Sequence, residues 1–548
     1  MKIKNYIMKR IIQLALVAGL SVMLFSCHKK SDDSSSSTPN VGTTVVQDSV
    51  VGNVTWKATD KILLKGYVYV VNGSKLTIEP GCVIRGDKDS KGSLIVEKGA
   101  QLFAQGTESN PIIFTSNQPA GGRNYGDWGG VILCGRASVN NFLGTAAPVV
   151  EGGPRSHYGS NNDDTYDGES SGALSYVRIE FAGIAFSPNN EINGLTFCGV
   201  GTGTSIDHIQ VSYSGDDSYE WFGGIVNTKY LIAHRGWDDD FDTDCGYSGM
   251  NQFLVGIRDP YAADQSGSKA FESDTDANNG SQLPITKCAF SNATCLIGTP
   301  TNNISPQFVA AAHIRRNSQL SLYNSVLMGY PCGILNDVAA AHPNVFYAAF
   351  GTTDSMRVRN TIIAGIPTGP ITGSNQKDVV LVVQGTGSLT PTTTMADTTA
   401  GAYNPFAGPK TWLWTSSFMN AIYATSDNVR LTNPYNLTNP SVVPTTTSPI
   451  VYNSKALPSY IPSGTFLGNV YPFDPSKAIN TDTTNKFKNY NAPSVLPNFV
   501  GPRISNSFFT PTNYVGAFSG DQSNAVANNW FSTWTNFDAN NADYGSAY

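Results

Sequence analysis

Short runs in which every second residue is apolar recur along this chain, and they lie too close together to enclose crossover helices. Val177-Arg178-Ile179-Glu180-Phe181-Ala182-Gly183 is one, and Ile209-Gln210-Val211-Ser212-Tyr213-Ser214-Gly215 is another. Tyr230-Leu231-Ile232-Ala233-His234-Arg235-Gly236 repeats the pattern less cleanly. The closing glycines stand 32 and then 21 residues apart, as if one turn carried an insertion. Leu76-Thr77-Ile78, Leu94-Ile95-Val96 and Ile112-Ile113-Phe114 recur at intervals of 18, and Leu322–Leu327 and Asn360–Ile363 extend the series. Period-2 alternation predicts strands with one buried face. A step near 20 residues leaves no room for a helix between parallel neighbours. A coil of short strands, each turn supplying the apolar face its neighbour needs, satisfies both constraints. A pair of β-sandwiches would alternate similarly but explains the spacing less well.

Composition agrees with a large β protein. The 548 residues include 53 Gly and 30 Pro, and only 14% are charged, against roughly 25% in an average soluble domain. That excludes a coiled coil. The 26 Phe, 25 Tyr and 8 Trp exclude a disordered chain. A net charge of −6 argues against nucleic acid as a partner. Seven cysteines follow Cys27, at 82, 134, 198, 245, 288, 295 and 332. They include no CxxC pair and no histidine at zinc spacing, so they read as small buried residues, with Cys288–Cys295 an open pairing.

The first 26 residues read as an export signal: Lys2, Lys4, Lys9 and Arg10 precede the apolar stretch Ile11–Phe25. Leu24-Phe25-Ser26-Cys27 resembles the lipobox of bacterial lipoproteins, which implies that Cys27 is acylated and becomes the new N-terminus. The polar stretch that follows contains Asp32-Asp33 and a serine run, and resembles the surface-export signal of Bacteroidetes lipoproteins. The expected organisation is a signal peptide over 1–26, a flexible tether over 27–55, a strand coil over 56–365 and a loop-rich region over 366–548 that covers or caps it. One helix is expected near Trp412–Ala424. The tail around Tyr514–Phe518, Trp530, Trp534 and Phe537 is expected to pack back on the body.

Acidic residues concentrate in two stretches. Asp216-Asp217-Ser218-Tyr219-Glu220-Trp221 is followed 22 residues later by Asp238-Asp239-Asp240-Phe241-Asp242-Thr243-Asp244. At that offset Asp217 falls over Asp239, Tyr219 over Phe241 and Glu220 over Asp242. Carboxylates about 5 Å apart on neighbouring strands repel each other unless a cation intervenes. Asp217, Glu220, Asp239, Asp240, Asp242 and Asp244 are therefore candidate ligands for Ca²⁺, a hard ion that prefers oxygen. Trp221 and Trp237 beside them offer flat faces for sugar rings. The same acids would alternatively serve only to terminate turns. Glu272-Ser273-Asp274-Thr275-Asp276 reads first as a solvated loop, with a further acidic rim as the alternative.

The period, the corner chemistry and the opening turns Ser74–Gly81 and Val96–Leu102 resemble the right-handed parallel β-helix of the pectin-lyase-like superfamily, over about residues 60–365. Gly126-Asp127-Trp128-Gly129-Gly130, Glu220-Trp221-Phe222-Gly223-Gly224 and Asp239-Asp240-Phe241-Asp242 are similar to motifs of uncharacterised Bacteroidetes β-helix lipoproteins. The resemblance implies an all-β solenoid on the outer membrane, facing the cell exterior, with a polysaccharide or sugar-uptake machinery as partner. Gly215-Asp216-Asp217, His234-Arg235-Gly236 and Asp242-Thr243-Asp244 are similar to fragments of polygalacturonase motifs, although their order and the His-Arg-Gly form depart from that pattern. The ligand-contact set is therefore Asp216, Asp217, Glu220, Trp221, His234, Arg235 and Trp237. Binding of an extended glycan is the leading expectation. A lyase or hydrolase is the alternative, with Arg235, Arg258 and Lys269 as candidate bases, and an adhesive surface protein is the third. His208, His234 and His313 otherwise read as wall residues.

Overall fold

The computed structural model describes residues 42–187, 190–277, 280–337, 356–366, 378–383, 420–423, 425–448, 450, 508–510, 512, 514–520 and 528–545. The export signal, Cys27 and most of the tether lie outside the described residues. Two long sheets of 17 and 11 strands carry the fold. Their pairings are parallel; among the described residues antiparallel pairing occurs in two small hairpins, Ala185–Ser187 with Asn190–Glu191 and Leu431–Asn433 with Ser441–Pro444, and in the isolated bridges Leu143–Ala146 and Val149–His157. The chain is a parallel β-helix, and the sandwich alternative is excluded.

The coil begins earlier than the sequence suggested. Thr43–Val46 pairs with Lys61–Leu64, and Asn53–Trp56 with Lys75–Ile78. Part of the stretch expected as tether is thus the opening turn. The ladders also run on past residue 365, because Asp378–Val383 joins Cys332–Asp337 and Ala421–Tyr423 joins Ile362–Ala364. The helix expected at 412–424 is a strand in its described part, Ala421–Tyr423.

The evenly spaced series at 76, 94 and 112 does not mark one wall. Leu76 faces Val54 and Leu102, whereas Leu94 belongs to the other sheet and faces Val68 and Val131. Each turn contributes several short strands, so an 18-residue interval moves from wall to wall. Later alignments hold better. Val177 faces Ile209 at an offset of 32, and Ile209 faces Leu231, one residue beyond the register set by the glycines.

Within the 17-stranded sheet, two parallel ladders merge at Gly172–Glu180. Its first half pairs with Gln101–Gln105 and its second half with Ile112–Ser116. The strand turns the corner at Tyr176, in the left-handed region at φ 50. His208, Tyr230 and Phe253 take the same conformation at the same corner one turn after another. Bulky residues adopt that backbone only when surroundings over-determine it. Here the rings stack, with centroids 4.4 Å apart for Tyr176–His208, 4.4 Å for His208–Tyr230 and 4.9 Å for Tyr230–Phe253.

The tail packs on this sheet's outer side, as expected. Trp534 meets Tyr176 and His208 edge-on, and Arg123 donates to the carbonyls of Ala539 and Ala542. Glu180, buried, accepts from the hydroxyls of Tyr544 and Thr115. The seven described cysteines are buried, and Cys288 and Cys295 do not bridge.

Candidate functional site

The acidic stretches meet on the outer face of the 11-stranded sheet. Leu195–Val200, Tyr219–Gly224, Phe241–Asp244, Ser268–Ser273 and Phe308–Ile314 stack there in register. Alternate residues along each strand face opposite sides. Tyr219, Phe241 and Phe271 fill the interior as one stack, with centroid spacings of 5.5 and 5.4 Å. The residues between them face outward, so Thr196, Glu220, Asp242, Glu272 and His313 form a column across five strands. The registers Tyr219 over Phe241 and Glu220 over Asp242 are those read from the sequence.

A second acidic row lies at the turn before these strands. The Asp239 amide donates to Asp217 Oδ1 at 2.8 Å, and the Lys269 amide donates to Asp239 Oδ1 at 2.6 Å. Each aspartate thus accepts from the next turn's backbone. Asp238 accepts from the hydroxyls of Ser266 at 2.6 Å and Ser268 at 3.2 Å. Asp244 Oδ1 accepts the Cys245 amide at 2.6 Å.

Three sequence candidates for this surface sit elsewhere. Trp221 is fully buried, stacked between Phe197 and Tyr247 at 5.3 and 5.4 Å, because its odd position in the alternation turns it inward. No sugar ring can reach it. Asp240 is sealed inside with Arg258, Nη1 to Oδ1 3.0 Å, which removes both from a metal or ligand role on the outer face. His234 is buried on the other sheet, where Nε2 meets the Leu437 carbonyl at 2.8 Å under the C-terminal cover. Arg235 stands at the corner, bound to Asp259 at 2.6 Å and lying over Tyr213. Trp237 remains accessible at 37% exposure, edge-on to Tyr125 and donating to Asp264.

The sequence reading missed half the column. Glu272 and Asp274 are not a solvated loop; they are buried at 7% and 4% exposure and continue the ladder. An insertion stretches this turn to 30 residues, which hid the repeat. The shared pair Phe241-Asp242 and Phe271-Glu272 was the available signal. Lys269 Nζ reaches Glu272 Oε2 at 2.7 Å and Asp239 Oδ2 at 3.5 Å. Arg315 pairs with Glu272 and Asp274, both at 2.8 Å, and Arg316 reaches Asp274 at 2.6 Å.

The electrostatics follow from this crowding. Burial, reinforced by neighbouring carboxylates, pushes Asp216, Asp217, Glu220 and Asp242 well above the usual carboxylate range. Burial raises Asp239 likewise, although Lys269 opposes the shift. Asp244 rises to about 7 through burial and Asp274, and Glu151 to about 7 through burial and Glu191. Glu272 moves the other way: burial opposes its charge, but Arg315, Lys269 and His313 hold it well below the ordinary value. Burial would discharge Lys269, yet Asp239 and Glu272 hold its ammonium on. Two unit charges ~5 Å apart at an effective dielectric of ~20 repel by about 3 kcal/mol, so a cation is the direct remedy for the unpaired part of the column. Among the described residues, three groups have carboxylate oxygens within 4.8 Å of one another: Asp216–Asp217–Asp238, Asp217–Glu220–Asp242 and Asp239–Asp242–Glu272.

A search of curated proteins found no match, and neither did a search of solved structures. A family profile described as a pectate-lyase-like beta-helix domain matches residues 48–414, which spans both acidic rows and the whole outward column. The stacked parallel sheets and this match agree, and the chain belongs to the pectate-lyase-like β-helix family.

Proposed function

We propose that this protein is a lipid-anchored, outer-membrane β-helix that holds an extended anionic glycan along its acidic wall with Ca²⁺ as the bridge. The observation that carries the reading is the in-register column Glu220–Asp242–Glu272 beside the row Asp217–Asp239. Its carboxylates outnumber Lys269 and Arg315, the cations bonded to them. A surface built this way repels uronate chains unless a divalent ion binds both sides, and it then selects for them. Trp237, next to Asp238, supplies the flat face at the rim. Anchoring through Cys27 places the wall outside the cell, beside sugar-uptake machinery.

The test is retention of polygalacturonate or alginate by the purified protein in Ca²⁺ and in chelator. Retention should appear only with Ca²⁺ and should fall at least tenfold in Asp242→Asn. Retention that ignores chelator sinks the reading.

Family membership favours catalysis as a second reading. Of the three candidate bases, Arg258 is sealed inside, Arg235 is held by Asp259, and Lys269 alone touches the acidic wall. An ammonium kept charged by Asp239 and Glu272 suits proton donation or charge neutralisation, not proton abstraction. Release of unsaturated sugar or reducing ends that disappears in Asp239→Asn would establish this reading over simple binding.

A further inference from the structure

We infer that the N-terminal end of the coil is a self-association surface, where a second copy of this chain pairs end against end to form a two-fold dimer. This goes beyond the glycan reading and does not depend on it. The first turn has three strands, Thr43–Val46, Ser49–Val50 and Asn53–Trp56, of four, two and four residues. They pair with the following turn at Lys61–Leu64, Tyr69–Val70 and Lys75–Ile78. Among the described residues, no strand pairs with their other side.

That open side is suited to pairing. The amides of Lys65 and Glu79 donate to the carbonyls of Val46 and Trp56. Successive residues of a parallel strand turn their backbone groups to opposite neighbours, so Val45 and Thr55 direct theirs to the open side. None of the three strands carries a charge or a proline, the devices that blunt an exposed edge. The core is open here as well. Val46 and Val54 pack against the interior but are only partly buried, whereas their register partners one turn on, Leu64 and Leu76, are fully buried.

A solenoid needs its terminal apolar row covered. The sequence just before the first strand offers no cover: His28–Asn40 contains no Val, Ile, Leu, Phe, Tyr or Trp, and Pro39 lacks an amide to donate. A second copy supplies what this end lacks, namely three open edges and the same two valines. Asp48 is the one charged residue between 42 and 56, so two such ends meet with little repulsion. About a two-fold axis the strands run antiparallel across the junction, and the isologous contact closes at two chains. Head-to-tail stacking would instead build a fibre. So few strand residues make a small interface, so the dimer should dissociate on dilution.

The experiment is analytical ultracentrifugation of the purified protein over a dilution series, with Cys27→Ser so that no acyl chain contributes. Circular dichroism of each variant checks that it folds. A reversible monomer–dimer equilibrium is expected. Val45→Pro and Thr55→Pro each delete an outward amide while sparing the ladder to the next turn, and each should weaken dimerisation at least tenfold. Val54→Lys places a charge on the open apolar row and should abolish it. Asp238→Asn, several turns along the coil, should leave it unchanged. If Val54→Lys does not fold, the two proline variants decide. A protein that stays monomeric at every concentration, a dimer that survives both proline substitutions, or open-ended polymers would each overturn the assignment.

Discussion

The indole of Trp221 and the carboxylate of Glu220 leave adjacent positions of one strand in opposite directions. One joins the stack between Phe197 and Tyr247, and the other joins the acidic column. Trp221→Ala should therefore cost about 3–5 kcal/mol of stability, the usual price of emptying a large aromatic site. A chemical denaturation midpoint that hardly moves would contradict the core placement. Asp240 and Arg258 make a similar case, since both are fully buried and each is the other's charge partner. Asp240→Ala leaves a guanidinium uncompensated inside the coil and should destabilise by about 3–5 kcal/mol. Asp240→Ala combined with Arg258→Met should recover much of that loss. Parity of position separates Trp221 from Glu220, but Asp240, just before its strand, shares the parity of the outward Asp242 and is sealed inside all the same, so the acidic run 238–242 concealed it.

Strands and corners explain what was legible and what was not. The registers Glu220 over Asp242 and Val326 over Ile362 follow from local alternation, which the sequence displays openly. The lengths of insertions between strands do not, which is why Glu272 reads as part of a loop in the sequence and why the 18-residue series at 76, 94 and 112 passes from wall to wall. Nor does local pattern announce that the corner residues Tyr176, His208 and Tyr230 stack, since non-glycine residues at positive φ carry no sequence mark. The bent strand Gly172–Glu180 offers a direct check. Gly172 sits at φ +118, and a Cβ there would lie 2.0 Å from the Leu102 carbonyl oxygen. Gly172→Ala should lower stability by about 2 kcal/mol or more, because backbone meets backbone with no side chain able to yield. Thermal melts within a degree of the unmodified protein would refute that contact.

Across the whole molecule, the acidic wall makes stability depend on pH in an unusual direction. Asp244 and Glu151 have folded values near 7, above the ordinary value of about 4 expected in the unfolded chain. The folded protein then binds more protons than the unfolded one between about pH 4 and 7, so stability falls as pH rises through that window. Each such carboxylate contributes at most about 1.4 kcal/mol per pH unit. Melting followed from pH 5 to pH 8 should show a decline without Ca²⁺, and Ca²⁺ should restore more at pH 8 than at pH 5. A curve that rises toward pH 8 without Ca²⁺ would contradict the wall's electrostatics.

The most direct trial of the cation-bridged wall is equilibrium binding of polygalacturonate to the purified protein at pH 8, in Ca²⁺ and after chelation. The account predicts saturable binding with Ca²⁺, at least a tenfold loss on chelation, and the same loss in Asp242→Asn with Ca²⁺ present. Equal binding in all three conditions would contradict it.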